Sequence, residues 1–410
     1  MLGFFDTSVT SSKKPPSLLP RCGACGLLNT CISPKIPIQG RGLKGILIIG
    51  TAPGKEEDRQ GKFFVSQAGR FLRSTLASKG IDLDRDCWYT NTIICSPVDR
   101  TKPDEKEIDY CRPNLMKVVR ELNPRLVIPL GFEAVKSFIA PYYRGEDEGT
   151  GSILDWVGWK IPLQKLNTWV CPSYDPEEIL ANADDRVGPV YKVWFNRHLD
   201  AALELEGVPW NPVPDYKSEI EIIFDPTKAA QWIRKATEKN LPTSFDYETN
   251  CLKPDRDDAE IVTVGLCCGG KRTMACPFVG EVIPAMREFL ESSCPKLGAN
   301  TKFEERWTRK ILKTRVNNWV WCGMQSAHHL DNRKGITSVK FQAFVRLGIE
   351  PWDSAVGPYL RADDAVSLNR IKEVNLRTLL AYNGLDALCE YKIDNLQKAE
   401  MLKQNREYDG

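Results

Sequence analysis

Two pairs of cysteines, Cys22-Gly-Ala-Cys25 and Cys95-(fifteen residues)-Cys111, constrain this chain more than any other feature. Four thiolates in two pairs can hold a metal centre, and the long insertion must then supply a fold that brings the pairs together. That insertion opens on a buried-strand signature, Ile46-Leu47-Ile48-Ile49. It runs directly into Gly50-Thr51-Ala52-Pro53-Gly54 and on to Gly61-Lys62-Phe63-Phe64-Val65-Ser66-Gln67-Ala68-Gly69. A strand ending in a Gly/Pro-rich loop before a helix puts backbone N–H groups at the strand's carboxyl end, where open α/β sheets bind ligands. A lone Cys-x-x-Cys also reads as a redox pair or a zinc half-site, and spacing alone leaves zinc open for the full set. Cys31 is near enough to compete as a ligand. Cys87, Cys251, Cys267, Cys268, Cys276, Cys294, Cys322 and Cys389 are expected as small core residues.

Fourteen cysteines in 410 residues fall short of a disulfide scaffold, and no signal-peptide apolar region precedes Cys22. The expectation is an intracellular protein with reduced thiols. The length suits two ordinary domains, and no apolar run approaches a membrane span. A net charge of +2 does not announce a nucleic-acid binder, so any phosphate-binding surface must arise from local clustering.

Strands and helices alternate through the first half. Strands are predicted at Ile46–Ile49, Trp88–Ile94 and Arg125–Leu130. Helices are predicted at Ala68–Ser78, at Lys106–Leu122 and from Glu133, the pattern of a parallel sheet covered by helices. After a polar stretch, Arg144–Gly151, short Trp-rich strands are expected around Trp156–Ile161 and Trp169–Cys171, then a helix near Pro189–Leu205. Three prolines in Gly207–Pro214 read as an extended linker. The predicted division is therefore a flexible lead (1–19), a first domain (20–206), a linker (207–217) and a second domain (218–410). The second opens with Ile220–Phe224, a helix Thr227–Lys239, and strands Thr243–Tyr247, Ile261–Cys267 and Arg272–Cys276.

The cysteine pairs, the Gly50–Gly54 loop, Phe64-Val65 and Asn91-Thr92-Ile93-Ile94-Cys95 together resemble the iron–sulfur type of uracil-DNA glycosylase over about residues 20 to 200. The resemblance implies a 4Fe–4S cluster on Cys22, Cys25, Cys95 and Cys111. It also implies a base pocket built from Gly50, Thr51, Ala52, Phe64, Asn91 and Cys171, with Phe64 stacking on the base and Asn91 bonding its Watson–Crick edge. Three departures bear on catalysis. The family has an acidic residue where this chain has Thr51, and usually His-Pro-Ser where it reads Cys171-Pro172-Ser173. Val65-Ser66 replaces the usual Val-Gly. A threonine cannot polarise water as a carboxylate does, and a neutral thiol donates poorly compared with imidazole. The three histidines, His198, His328 and His329, lie outside the required position. The expected outcome is a DNA-binding pocket with weakened catalysis; robust uracil excision would instead imply that another residue, with Ser173 or Asp175 the nearest candidates, has taken over the missing chemistry. Lys55, Arg59, Lys62, Arg70 and Arg73 around the loop are candidates to track phosphates, or are solvated surface charge.

Four carboxylates mark the second domain. Asp246-Tyr247-Glu248 ends a predicted strand, where i and i+2 share a face, and paired like charges call for a cation. Asn300-Thr301-Lys302-Phe303-Glu304 places a third carboxylate at a helix start, and Tyr382-Asn383-Gly384-Leu385-Asp386 puts a phenol and a carboxylate one turn apart. Their order resembles the tyrosine variant of the DEDD superfamily of 3′–5′ exonucleases, over about residues 218 to 400. The resemblance implies two Mg²⁺ or Mn²⁺ ions on Asp246, Glu248, Glu304 and Asp386, with Asp246 bridging both and Tyr382 orienting the attacking water. Glu304 departs from the family's usual Asp. His328 and His329 are adjacent on a helix, so at most one can face a given site.

The combined expectation is an α/β protein in which a parallel-sheet, uracil-DNA-glycosylase-like domain precedes a ribonuclease-H-like mixed-sheet exonuclease domain. It is expected to act on DNA, at 3′ ends in single strands or frayed duplex, in the cytoplasm of a bacterial or phage-infected cell. Similar pairings precede a polymerase in some phage family-A DNA polymerases. Such a polymerase, as a further domain or a separate subunit, is therefore the partner the resemblance points to. An active uracil repair enzyme with coupled exonuclease and a non-catalytic DNA-tethering subunit of a phage replisome are the alternatives.

Overall fold

The computed structural model describes residues 22–97, 102–143, 152–184, 187–210 and 212–408. The expected lead and the Arg144–Gly151 stretch lie outside them. The chain divides into two compact units at Pro212/Val213, apart from Leu347–Ile349, which cluster with the first. Residues 208–210 and 212–215, in the proline-rich stretch, carry no helix or strand.

The first unit runs β1 (Ile46–Gly50), α1 (Lys55–Gln60), α2 (Gln67–Ser78), α3 (Leu83–Asp86), β2 (Cys87–Asn91), α4 (Glu105–Leu122), β3 (Leu126–Pro129), α5 (Phe132–Ile139), α6 (Ile153–Trp156), β4 (Ile161–Leu163), β5 (Thr168–Val170), α7 (Pro176–Ala181) and α8 (Gly188–Leu203). Its sheet has the order β2-β1-β3-β5-β4 and is parallel except for β4. All five residues of β1 are buried, as a central strand covered on both faces requires. Helix α4 begins where Asp104 and Glu107 close a capping box, which brings Cys111 into its second turn. One expectation is corrected. Trp156 ends a short helix and not a strand, because Ser152 and Asp155 close another capping box that turns Ile153–Trp156 into helix. The strand of that region begins only at Ile161.

The second unit contains β6 (Ile220–Ile222), α9 (Pro226–Lys239), β7 (Thr243–Thr249), β8 (Ile261–Cys268), β9 (Arg272–Pro277), α10 (Val282–Glu291), β10 (Lys296–Gly298), α11 (Thr301–Trp307), β11 (Trp319–Cys322), α12 (Gly323–Leu330), α13 (Val339–Leu347), α14 (Gly357–Leu360) and α15 (Leu376–Tyr408). Its sheet order is β11-β10-β7-β8-β9-β6. Strands β7, β8 and β9 are antiparallel, while β10 and β11 add in parallel beside β7. This is the ribonuclease-H-like mixed sheet, with β6 as an extra parallel edge on β9. Helix α15 crosses β8 at Gly265, where a Cβ would lie 2.6 Å from the carbonyl oxygen of Asn383. That close approach lets α15 deliver its side chains to β7. No helix among the described residues is long and apolar enough to cross a membrane.

Candidate functional site

In the first unit the four cysteines of the two pairs line one cavity, with Leu27, Leu28, Ile93, Glu107, Tyr110 and Asn114. Cys95 is buried and its sulfur accepts the backbone N–H of Lys35 at 3.3 Å. Burial pushes its thiol up to about 12. The Asn114 amide points at Cys22 Sγ (3.7 Å) and Cys111 Sγ (3.9 Å). Cys31 packs beside Cys95 but does not line the cavity. Among the described residues, no three cysteine sulfurs lie within 4.8 Å of one another.

The carboxyl ends of β1 and β2 and the loop after β5 surround a second cavity. Gly50, Thr51, Ala52, Phe64, Asn91, Leu130 and Asp175 line it. At Gly50 a Cβ would lie 2.4 Å from Asn91 Oδ1 and 2.9 Å from Phe64, so only glycine leaves room for both. Phe64 holds a left-handed backbone (φ 54°), unusual for a bulky residue. Its neighbours enforce this. Glu57 Oε1 accepts the N–H groups of Val65 (3.1 Å) and Ser66 (2.8 Å), Arg73 donates to the Phe64 carbonyl at 3.0 Å, and Ser66 caps α2. Tyr89 packs edge-on against the Phe64 ring. Arg73 is thus engaged internally, with Asp84 at 2.8 Å as ion partner. Lys55 lines the cavity.

Cys171 does not line this cavity. It is buried in the core at the end of β5, and burial pushes its thiol up to about 12. Ser173 is also turned away, its hydroxyl 3.2 Å from His198 Nδ1. Asp175 faces inward, and Thr51 Oγ1 donates to its Oδ2 at 2.8 Å.

In the second unit Asp246 and Glu248 on β7 meet Asp386 on α15, with one carboxylate oxygen of each within 4.8 Å of the others. Desolvation and the nearby Asp386 carboxylate push Asp246 up to about 8, against the pull of Lys340. Glu248 is raised well above its usual range by burial and by Asp246. Asn383 donates to Asp246 Oδ2 at 2.7 Å and accepts from Thr263 Oγ1 at 3.0 Å, which fixes the first ligand's orientation. Glu304 on α11 lies outside the triad, but its Oε2 is buried without a hydrogen-bond partner and it feels the charge of Asp246. An orphaned buried carboxylate beside a carboxylate triad fits a cation-binding site. His328 and His329 are exposed at the end of α12, and neither joins the carboxylate cluster.

Sequence reasoning missed Lys340. Its ammonium donates to Tyr382 Oη at 2.8 Å and to Asp386 Oδ1 at 2.7 Å, and it lies over the Tyr382 ring. Nothing in Ser338-Val339-Lys340-Phe341 marks this lysine locally; only α13 folding against α15 does. Glu390 and Asp394 were also missed. They follow Asp386 at i+4 and i+8 on α15, both buried, each with one oxygen lacking a partner. That spacing on one helix face was the available signal.

The sequence pattern of the "Uracil DNA glycosylase superfamily" matches residues 39–200. The type-4 uracil-DNA glycosylase of Sulfurisphaera tokodaii is 30% identical over 37% of this chain and 68% of its own length. That of Pyrobaculum aerophilum is 32% identical over 31% of this chain and 64% of its own. A DNA polymerase of Bacillus phage SP01 is 25% identical over 72% of this chain, which spans only 34% of that polymerase. The pattern covers the sheet that carries the Phe64–Asn91 cavity. Through its first unit, the chain belongs to the uracil DNA glycosylase superfamily.

Proposed function

We propose that this is a DNA-processing protein whose second unit is a metal-dependent 3′–5′ exonuclease. Its first unit would recognise uracil or a strand end in a glycosylase-like pocket of weakened catalytic power. The convergence of Asp246, Glu248 and Asp386 within 4.8 Å carries the exonuclease reading. Asp246, Glu248, Asp386 and Glu304 would hold two Mg²⁺ or Mn²⁺ ions, whose charge activates water and stabilises the leaving oxygen of a phosphodiester when they are bound. The longer arm of Glu304 shifts its oxygens by about one C–C bond relative to aspartate, which bears on metal preference. Lys340 donates to the phenol oxygen of Tyr382, so the phenol's own proton is free to point elsewhere, toward the attacking water. Asn383 holds Asp246 in place from behind. The 25% identity to a phage DNA polymerase across both units supports a role beside a family-A polymerase, in the cytoplasm of a bacterial or phage-infected cell.

In the first unit, Cys22, Cys25, Cys95 and Cys111 would hold the 4Fe–4S cluster. Four thiolates lining one cavity are the usual ligand set of such a cluster. Phe64 would stack on a base that has left the helix, and Asn91 would bond its edge.

Two experiments test this reading. Mononucleotide release from labelled 3′ ends, with and without Mg²⁺, tests the second unit. Binding to uracil-containing against thymine-containing oligonucleotides tests the first. Lys340→Met should lower the nuclease rate by about 10–100-fold, the usual effect of removing a partner that orients the groups at a metal site. The DNA dissociation constant should stay unchanged. An unaltered rate in the purified variant would remove Lys340 from the mechanism.

A further inference from the structure

Three neighbouring strands of the first unit deliver one residue each to the same point. Thr51 follows β1, Gly131 follows β3, and Asp175 lies in the loop after β5. Gly131 has φ +86°, and a Cβ there would lie 3.0 Å from Asp175 Oδ2 and 3.2 Å from Thr51 Oγ1. The backbone of the middle strand thus leaves space in which the outer two residues can meet, and they do, at 2.8 Å. Asp175 Oδ1 is fixed separately by the backbone N–H of Glu177 at 2.8 Å. Both residues of the pair line the cavity that also holds Phe64 and Asn91.

We propose that Asp175 supplies, from across the pocket, the carboxylate missing at position 51, and that Thr51 positions it, so that this unit still cleaves uracil from DNA. This rests on the reading of the Phe64–Asn91 cavity as a uracil pocket. In the reaction the C1′–N1 bond breaks and its electron pair leaves with uracil, whose edge Asn91 holds. The sugar cation left behind lies near the Asp175 carboxylate. A water on the pocket side of the Asp175 carboxylate, which Thr51 Oγ1 holds in place, adds to C1′ as Asp175 takes its proton, and the uracil anion is then protonated from solvent while Asp175 returns its proton to water. No cofactor or redox partner is required. Burial lifts the Asp175 carboxyl to about 6, nearer the range in which a group can accept a proton and later release it at neutral pH.

Single-turnover uracil release from a labelled oligonucleotide, read as alkali-labile breaks, tests the proposal alongside the dissociation constant for uracil-containing DNA. The wild-type protein should release uracil slowly but measurably. Asp175→Asn, which still caps α7 and so keeps the local fold, should lower the rate by about 10²-fold or more. Thr51→Val should lower it by about 10-fold, and in both variants the rate should fall far more than the affinity for uracil-containing DNA. Asp175→Glu should recover part of the activity. Equal rates for wild type and Asp175→Asn would overturn the assignment. So would a wild-type protein that prefers uracil-containing DNA but never cleaves it, although the uracil-pocket reading would survive. Absence of any preference for uracil over thymine would instead remove the pocket reading itself.

Discussion

Asp246→Asn should lower Mg²⁺- or Mn²⁺-dependent release of mononucleotides from DNA 3′ ends by about 10³-fold or more. The substitution withdraws the carboxylate that would serve both ions, and a bound metal contributes several kcal/mol of transition-state stabilisation, about 4 kcal/mol for that factor. Asparagine keeps the shape and can still accept from Asn383, so the loss reports on charge. A second measurement guards against a contaminating nuclease. Without cations, Asp246, Glu248 and Asp386 crowd three carboxylates together beside the ammonium of Lys340, which bonds Asp386. Removing one of them should raise the melting temperature in chelator, while added Mg²⁺ should stabilise the variant less than the wild type. Undiminished nuclease activity in purified Asp246→Asn would place the activity elsewhere.

Cys95→Ala should give the largest loss of stability in the first unit. Cys95 is the most buried of the four proposed cluster ligands, and it ties the segment after β2 to the N-terminal pair. Metal binding by a site that exists only in the folded state adds directly to folding free energy. Losing roughly 4 kcal/mol of it would lower the melting temperature of a unit this size by about 8–16 °C. Anaerobically purified wild-type protein should be brown and contain iron and acid-labile sulfide, and the variant should lack both. Stoichiometric zinc without iron in the wild type would refute the cluster while leaving the ligands in place.

The sequence displayed what depends on spacing within one element. Asp246 and Glu248 are two apart on a strand, Tyr382 and Asp386 four apart on a helix, and Ile46–Gly50 leads straight into its loop. It hid what depends on elements meeting. Lys340 reaches Asp386 from a helix 46 residues away, and Thr51 reaches Asp175 across 124 residues. Cys171 shows the reverse failure. Its place in a motif suggested a pocket residue, but its side chain points into the apolar core behind the pocket. The aromatic character of Trp156 favours a strand, whereas the Ser152–Asp155 capping box decides for helix at that point.

The left-handed backbone at Phe64 has a consequence for substrate choice. On the proposed reading of this cavity, Glu57, Arg73 and the Ser66 cap of α2 already fix the backbone that carries Phe64, so no rearrangement of the loop would be needed to form the stacking surface. The slow event in capture then belongs to the nucleic acid, since the base must leave its stack and its partner, at a cost of a few kcal/mol in paired DNA. Uracil in single strands should therefore be engaged fastest, uracil opposite guanine next, and uracil opposite adenine slowest. Stopped-flow fluorescence with a base analogue beside the uracil would read that order, and equal rates for all three would mean that the loop, and not the duplex, sets the pace.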